Sequence, residues 1–435
     1  MSRRDLIICL LCAGVAIPAF GAAELLIALI DLSTNFFYRG ILSTEPAGPT
    51  LERWGLASLF IPALGGLIVG LMARYGSKAI RGHGIPEAME QVLTNESRIG
   101  IRVAWLKPLS AAIAIGSGGP FGAEGPIIAT GAALGSLIGQ RFTLSSQERK
   151  LLLASGAAAG MSAIFGTPLA AVLLALELLL FEFRPQSILA VGLASATAAA
   201  FRAAVVGSQP AFPMADLHYA GGTALLVYAA MGVPLGFVAV GISRSVFWIE
   251  EQFERLPIHW MFWPILGGLI VGAIGLFEPR TLGVGYSNIT ANLNGTVFGT
   301  ALLTLMLLKF LSWSVALGSG TSGGTLAPLL TIGSSLGALI IAAVATVLPN
   351  SLGLDPRLGA LAGMAALFSG CSGAVMASLI FSFESTHQMQ GILPLLLCSL
   401  IATAIAKWLH PHNIMTEKLN RRGVKVPHSW GAPIH

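Results

Sequence analysis

Three short segments of the chain combine residue types that could hold an anion. They are Gly82-His83-Gly84-Ile85-Pro86, Gly122-Ala123-Glu124-Gly125-Pro126 and Gly324-Thr325-Leu326-Ala327-Pro328. In each, glycine leads to a proline that opens an apolar run. Proline is favoured in the first helical turn, where its missing N–H is no loss, and glycine lets backbone turn sharply and approach a ligand. Each segment is therefore expected to expose bare amide N–H groups at a helix N-terminus carrying about half a positive charge. Close helix packing alone would explain the glycines but not the prolines. Glu124 adds a carboxylate to one of these ends, where the amides that would attract an anion also attract it.

The elements that would carry these segments are membrane helices. Only 10% of the 435 residues are charged and 54% are hydrophobic, against about 25% charged in soluble domains. Apolar runs recur from Leu6 to the 391–409 region and amount to at least ten spans once the Gly-broken stretches near 110–140 and 324–348 are included. The reading is an all-α, multi-pass integral membrane protein that contacts lipid, and its small net charge of +5, as expected of basic cytoplasmic loops, does not argue for nucleic acid. In a bilayer, bare N–H groups are tolerated only where they line a cavity or meet a ligand, so the three segments together predict an anion site near the midplane. Cys9 and Cys12 form a CxxC inside the first apolar run, a weak sign of redox or metal chemistry, and no metal or cofactor is expected.

An internal repeat organises the chain. Pro62-Ala63-Leu64-Gly65-Gly66-Leu67-Ile68-Val69-Gly70 returns as Pro264-Ile265-Leu266-Gly267-Gly268-Leu269-Ile270-Val271-Gly272, a shift of 264 − 62 = 202. The stretch from Gly116 through Gly122, Pro126, Gly131 and Gly135 returns at the same shift as Gly318 through Gly324, Pro328, Gly333 and Gly337. A single transmembrane domain, 1–435, is thus expected to comprise halves at about 1–210 and 211–410, joined by the polar stretch Arg244–His259, with a short basic tail at 411–435. Arg74, Lys78 and Arg81 follow the first copy of the block while Arg244 and Arg255 precede the second, which suggests opposite topologies. The same charge bias, with Arg3, Arg4 and the tail residues Lys418, Arg421, Arg422 and Lys425, places both termini in the cytoplasm.

These motifs resemble the CLC family of chloride channels and chloride/proton exchangers, whose pattern GSGIP, GxEGP and GxFxP stands here as GHGIP, GAEGP and GTLAP, with Lys107 where the family has a lysine. The resemblance covers nearly the whole chain. It implies a homodimer of broken-helix, inverted-repeat subunits, each with one pathway for chloride or a related small anion, in a bacterial inner membrane. It also implies that Gly82, His83, Gly84, Ile85, Pro86, Gly122, Ala123, Gly125, Gly324, Thr325, Leu326 and Met415 surround the anion. Glu124 is then the gate: ionised, it occupies an anion position, and protonated, it loses that attraction and swings away. Span Ile188–Ala204, with Gly192, Ala194, Ala196 and Ala198, is the expected dimer contact.

Three positions depart from the family pattern. His83 stands where most members have a serine, and Met415, aligned with the pore tyrosine, cannot donate a hydrogen bond. Ten residues after Pro168, where exchangers carry a second glutamate, stands Leu178; Glu177 precedes it and Glu182 follows within about a turn, leaving these two as proton-pathway candidates. The expectation is therefore channel-like or weakly proton-coupled anion flux, with a strictly coupled chloride/proton antiporter as the alternative. An intramembrane enzyme built on Glu384, Ser385 and His387 is the distant one.

Overall fold

The computed structural model describes residues 3–427, so residues 428–435 of the expected tail lie outside the described residues. The described residues form helices, joined by loops and two isolated backbone bridges. In chain order these are α1 (Arg3–Thr34), α2 (Ile61–Leu71), α3 (Ile85–Thr94), α4 (Ile101–Gly116), α5 (Glu124–Arg141), α6 (Ser146–Phe165), α7 (Pro168–Ala175) and α8 (Pro185–Val205). There follow α9 (Gly222–Glu254), α10 (Trp263–Phe277), α11 (Tyr286–Leu293), α12 (Gly299–Gly318), α13 (Leu326–Ala345), α14 (Pro356–Ser372), α15 (Val375–Thr386), α16 (Ile392–Leu409) and α17 (Glu417–Arg421).

Eight of these helical stretches are long and apolar enough to cross a membrane; α7 with its continuation to Leu180, and α15, are apolar but shorter. The sequence suggested ten or more spans, and the difference lies in the interior. Every residue from Leu152 to Phe165 of α6 and from Leu358 to Ser372 of α14 is buried. Helices surrounded by protein can be rich in alanine, glycine and serine, which lowers their mean hydropathy without exposing polar groups to lipid. The polar stretch Arg244–His259 is also not the joint it was expected to be: α9 continues to Glu254, keeping Val246, Phe247 and Phe253 on a buried face. Helices tolerate charge along an exposed face, and polarity alone does not end one.

The repeated blocks meet each other. Helices α2 and α10 pack together, and a Cβ on Gly66 would strike the Pro264 carbonyl while one on Gly268 would strike the Pro62 carbonyl. Helix α5 packs on α6 as α13 packs on α14, with Gly131 against the Gly156 carbonyl and Gly333 against the Gly363 carbonyl. These repeated glycines serve backbone approach, a packing role in which any side chain is in the way. The remaining crossing, α7 on α15, is closed by two carboxylates that exchange places. Glu177 accepts the Met376 and Ala377 amides at 3.1 and 2.9 Å, and Glu384 accepts the Leu169 and Ala170 amides at 3.0 and 2.8 Å. Each caps the N-terminus of the other copy's helix, so orphan donors are satisfied inside an apolar environment.

Arg4 pairs with Glu148 at the start of α6, its neighbour Arg149 pairs with Glu96 beyond α3, and Arg422 pairs with Glu90 of α3. Both described ends of the chain consequently share one face, called here the terminal face. The glycine contacts between α2 and α10 yield a direct expectation. Gly66→Ala and Gly268→Ala should each lower stability by about 1–3 kcal/mol through overpacking, although alanine is the better helix former. Gly241→Ala on α9, where the new Cβ meets open space, should not. Thermal unfolding of the three purified variants in detergent checks this.

Candidate functional site

The three glycine–proline segments come together at the centre of the molecule. Gly122 and Gly324 exchange backbone hydrogen bonds of 3.3 and 2.9 Å, and the Gly323 N–H reaches the Gly82 carbonyl at 3.4 Å. Gly84, at φ +96°, lies so close to the Gly125 carbonyl that a Cβ would collide with the Gly125 backbone, and a Cβ on Gly125 would strike the His83 carbonyl. Only glycine meets both demands at position 84. The N-termini of α3, α5 and α13 thus point at one small region, with Ile85, Pro86, Ala123 and Leu326 buried around it.

The three ends are not equivalent. At α5 and α13 no N-cap side chain takes an amide, and the first-turn amides of Glu124 and Ala327 face the Glu124 carboxylate. At α3 the expectation of bare amides fails, because Glu87 in the first turn accepts the Gly84 N–H at 2.7 Å and is itself held by Lys418 Nζ at 3.1 Å. Lys418 belongs to the tail, which the sequence reading treated only as a topology marker; α17 instead docks beside the site, with Arg421 also pairing with Glu251.

Glu124 is fully buried. Its carboxylate folds back over the loop that bears it, so that a Cβ on Gly122 would collide with Oε2, and one on Gly324 would come within 2.9 Å of it. Oε1 accepts the Tyr286 hydroxyl at 3.2 Å. The amides of Glu124 and Ala327 and the Lys309 ammonium supply the remaining positive field, while Oε2 has no hydrogen-bond partner. Two further buried polar atoms from the same segments lack partners, His83 Nδ1 and Thr325 Oγ1. Unpaired buried polar atoms are rare, and three converging from three loops define a cradle for a polar ligand. Met415 is fully buried in the turn before α17; it is its neighbour Ile414 that faces a cavity together with His83.

Two lysines hold the loops in place. Lys107 Nζ donates to the Ile80 and Gly82 carbonyls at 2.8 and 2.6 Å, and Lys309 Nζ to the Thr281 and Gly283 carbonyls at 2.9 and 3.0 Å. Sequence reasoning singled out Lys107 but missed Lys309 and Tyr286. The shift of 202 applied to Lys107 lands on Lys309, and Gly82-His83-Gly84-Ile85 returns, at a shift of 283 − 82 = 201, as Gly283-Val284-Gly285-Tyr286. That second copy escapes notice because no proline follows it.

Cavities approach the cradle from both faces. One of 470 Å³ opens on the terminal face, reaches Gly82 and His83, and carries Lys78, Arg81, Lys418 and Arg422. Arg81 lies 4.7 Å above the Trp260 ring, which fixes the guanidinium there. The other, of 760 Å³, reaches Ala123 and Tyr286 and carries Arg202 and Arg280. At its mouth a hydrogen bond from Arg280 holds the Glu278 carboxyl below the usual range, so the pair stays charged. Glu87, Glu90, Glu250 and Glu254 stand among the four cations of the first cavity and Asp31 lines the second, so both linings carry charges of either sign. Glu124 lines neither cavity and lies between them.

The other proton-pathway candidates are tied down. Both oxygens of Glu177 are committed to α15, although its side chain and Leu178 border a 280 Å³ cavity near Lys407. Glu182 pairs with Arg184 at 3.4 Å and accepts the Ser187 hydroxyl at 2.7 Å. The arrangement an enzyme would need does not form: Glu384 caps α7, Ser385 Oγ donates to the Ser382 carbonyl, and His387 is exposed.

A membrane-embedded cradle of facing helix N-termini, entered from both faces and built from inverted repeats, defines a broken-helix anion transporter. The sequence profile described as voltage-gated chloride channel matches residues 65–407, and the chain belongs to that family, the CLC proteins. It is 30% identical to an H(+)/Cl(−) exchange transporter ClcA of Vibrio campbellii, over 86% of this chain and 81% of that one. It is 27% identical to a putative chloride channel protein ClcB-like of Ralstonia nicotianae, over 82% and 83% of the two chains. The fold matches that of a slow cyanobacterial Cl−/H+ antiporter with a TM-score of 0.84 at 23% identity, covering 97% of this chain and 98% of that one. A CLC-type fluoride/proton antiporter superposes with a TM-score of 0.77 at 22% identity, over 95% and 98%.

The lysine straps carry their own test. Lys309→Met would leave two buried carbonyls without a donor, at roughly 1–3 kcal/mol for each unsatisfied group. Lys107→Met should cost about the same, since the two geometries match. Melting temperatures of both variants should fall together; an unchanged melt for either would show that its strap does not hold the loop.

Proposed function

We propose that the protein exchanges chloride for protons across a bacterial cell membrane, with Glu124 visited in turn by both ions. The observation that carries this reading is the position of the Glu124 carboxylate, fully buried between the two cavities and resting where the α5 and α13 amides would receive an anion. A carboxylate there closes the path to chloride. Protonation removes the charge that holds it, frees the cradle for an anion and loads a proton for the return, so that one side chain links the two movements. His83 and Thr325 supply the side-chain donors for the bound anion, the imidazole through the Nδ1–H tautomer.

This moves the reading from the channel-like flux that Leu178 suggested to strict exchange. The names of the relatives at about 30% identity support it. The channel-like reading keeps one observation in its favour: Leu178 is buried and apolar, and Glu177 beside it has both oxygens engaged. We further propose a homodimer through α8, where Gly192 faces open space, and a cytoplasmic terminal face, where Lys78, Arg81, Arg421 and Arg422 gather.

Two measurements in sealed liposomes test the proposal. Glu124→Gln should leave chloride efflux in place but nearly insensitive to pH, because a neutral amide is not released by protonation; wild-type pH dependence in the variant would remove Glu124 from the gate. In the wild-type protein, a chloride gradient should drive protons uphill at a fixed ratio. Chloride flux with no proton movement would return the account to a channel.

A further inference from the structure

We infer that Tyr286 is a positioning residue for the gate: its hydroxyl clasps the Glu124 carboxylate in the cradle and limits how often the path opens. The inference rests on the reading of Glu124 as the gate and adds the group that restrains it.

The phenol is placed with little freedom. It stands at the first residue of α11, on a loop fixed by Lys309 through the Thr281 and Gly283 carbonyls and by Asn288, whose amide donates to the Arg280 carbonyl at 2.7 Å. Its ring is wedged edge-on between Phe165, with centroids 5.7 Å apart, and Phe212, at 5.8 Å. The hydroxyl donates to Glu124 Oε1 at 3.2 Å and faces the Ala123 amide at the head of α5. It therefore bridges the gate side chain and the backbone that bears it.

The charged or titratable groups that face the carboxylate are Tyr286 from α11 and Lys309 from α12; the rest of its field comes from the amides of Glu124 and Ala327. Lys309 is already engaged by two carbonyls, so Tyr286 is the one side-chain donor to Glu124 among the described residues. Such a bond is stronger to a carboxylate than to the neutral acid. Tyr286 thus favours the ionised, closed gate over the protonated, open one. The ring also lines the 760 Å³ cavity, so a carboxylate leaving the cradle in that direction must first break this bond.

The test is chloride efflux from proteoliposomes at neutral pH for four proteins: wild type, Tyr286→Phe, Glu124→Ala and the double variant. Tyr286→Phe keeps the ring and its aromatic contacts and removes only the hydroxyl. It should raise efflux by about tenfold, the order expected for a lost hydrogen bond to a charged group. In the Glu124→Ala background the same change should have no effect, because nothing remains to clasp, and the retained flux of the double variant verifies that it is folded. Tyr286→Phe efflux equal to wild type, or an equal rise in both backgrounds, would overturn the clasp alone. Glu124→Ala efflux equal to wild type would overturn the gate, and the clasp with it.

Discussion

The architecture turns on two helix N-termini held face to face in an interior that excludes water. Reciprocal backbone hydrogen bonds between Gly122 and Gly324 fix the heads of α5 and α13 against each other. Each head carries about half a positive charge, and in a low-dielectric interior such ends repel unless a negative group lies between them. Glu124 is that group within the chain, and on the proposed reading a small anion competes with it. On that proposal gating and binding are one electrostatic requirement met in two ways.

The remaining features keep that confrontation in place. Glycines 66 and 268 bring α2 and α10 to backbone contact, and Gly131 and Gly333 do so for α5 on α6 and α13 on α14. Lys107 and Lys309 each bind two carbonyls of the loop before a short helix, so that cations do the work that water would do outside a membrane. Glu177 and Glu384 satisfy the amides of α15 and α7, helices that would otherwise end with bare donors. The two halves use the same devices but differ at the centre. One presents His83 toward the terminal face, and the other presents Tyr286 toward the opposite one. On the proposed reading that asymmetry lets related loops bind an anion on one side and restrain the gate on the other.

Much of this was legible in the sequence. The glycine–proline segments and the constant shift disclosed the helix heads and the repeat, because proline, glycine and register are local signals. The losses share a physical cause, which is that the partner lies far away in sequence. Glu177 looked like a proton carrier because nothing near it shows that it caps α15 about 200 residues later. Lys418 looked like a topology marker because its ion pair with Glu87 spans most of the chain. Tyr286 was overlooked because its loop kept the glycines of the first copy but not the proline, and α9 hid its continuity behind a polar face.

The central claim is that the Glu124 carboxylate and the transported anion compete for one place between Gly122 and Gly324. Anomalous diffraction from crystals grown in bromide, for the wild-type protein at neutral pH and for Glu124→Ala, measures this directly. The account predicts a bromide peak at the wild-type carboxylate position in Glu124→Ala and none there in the wild type. Bromide at that position in both proteins, or in neither, would contradict it.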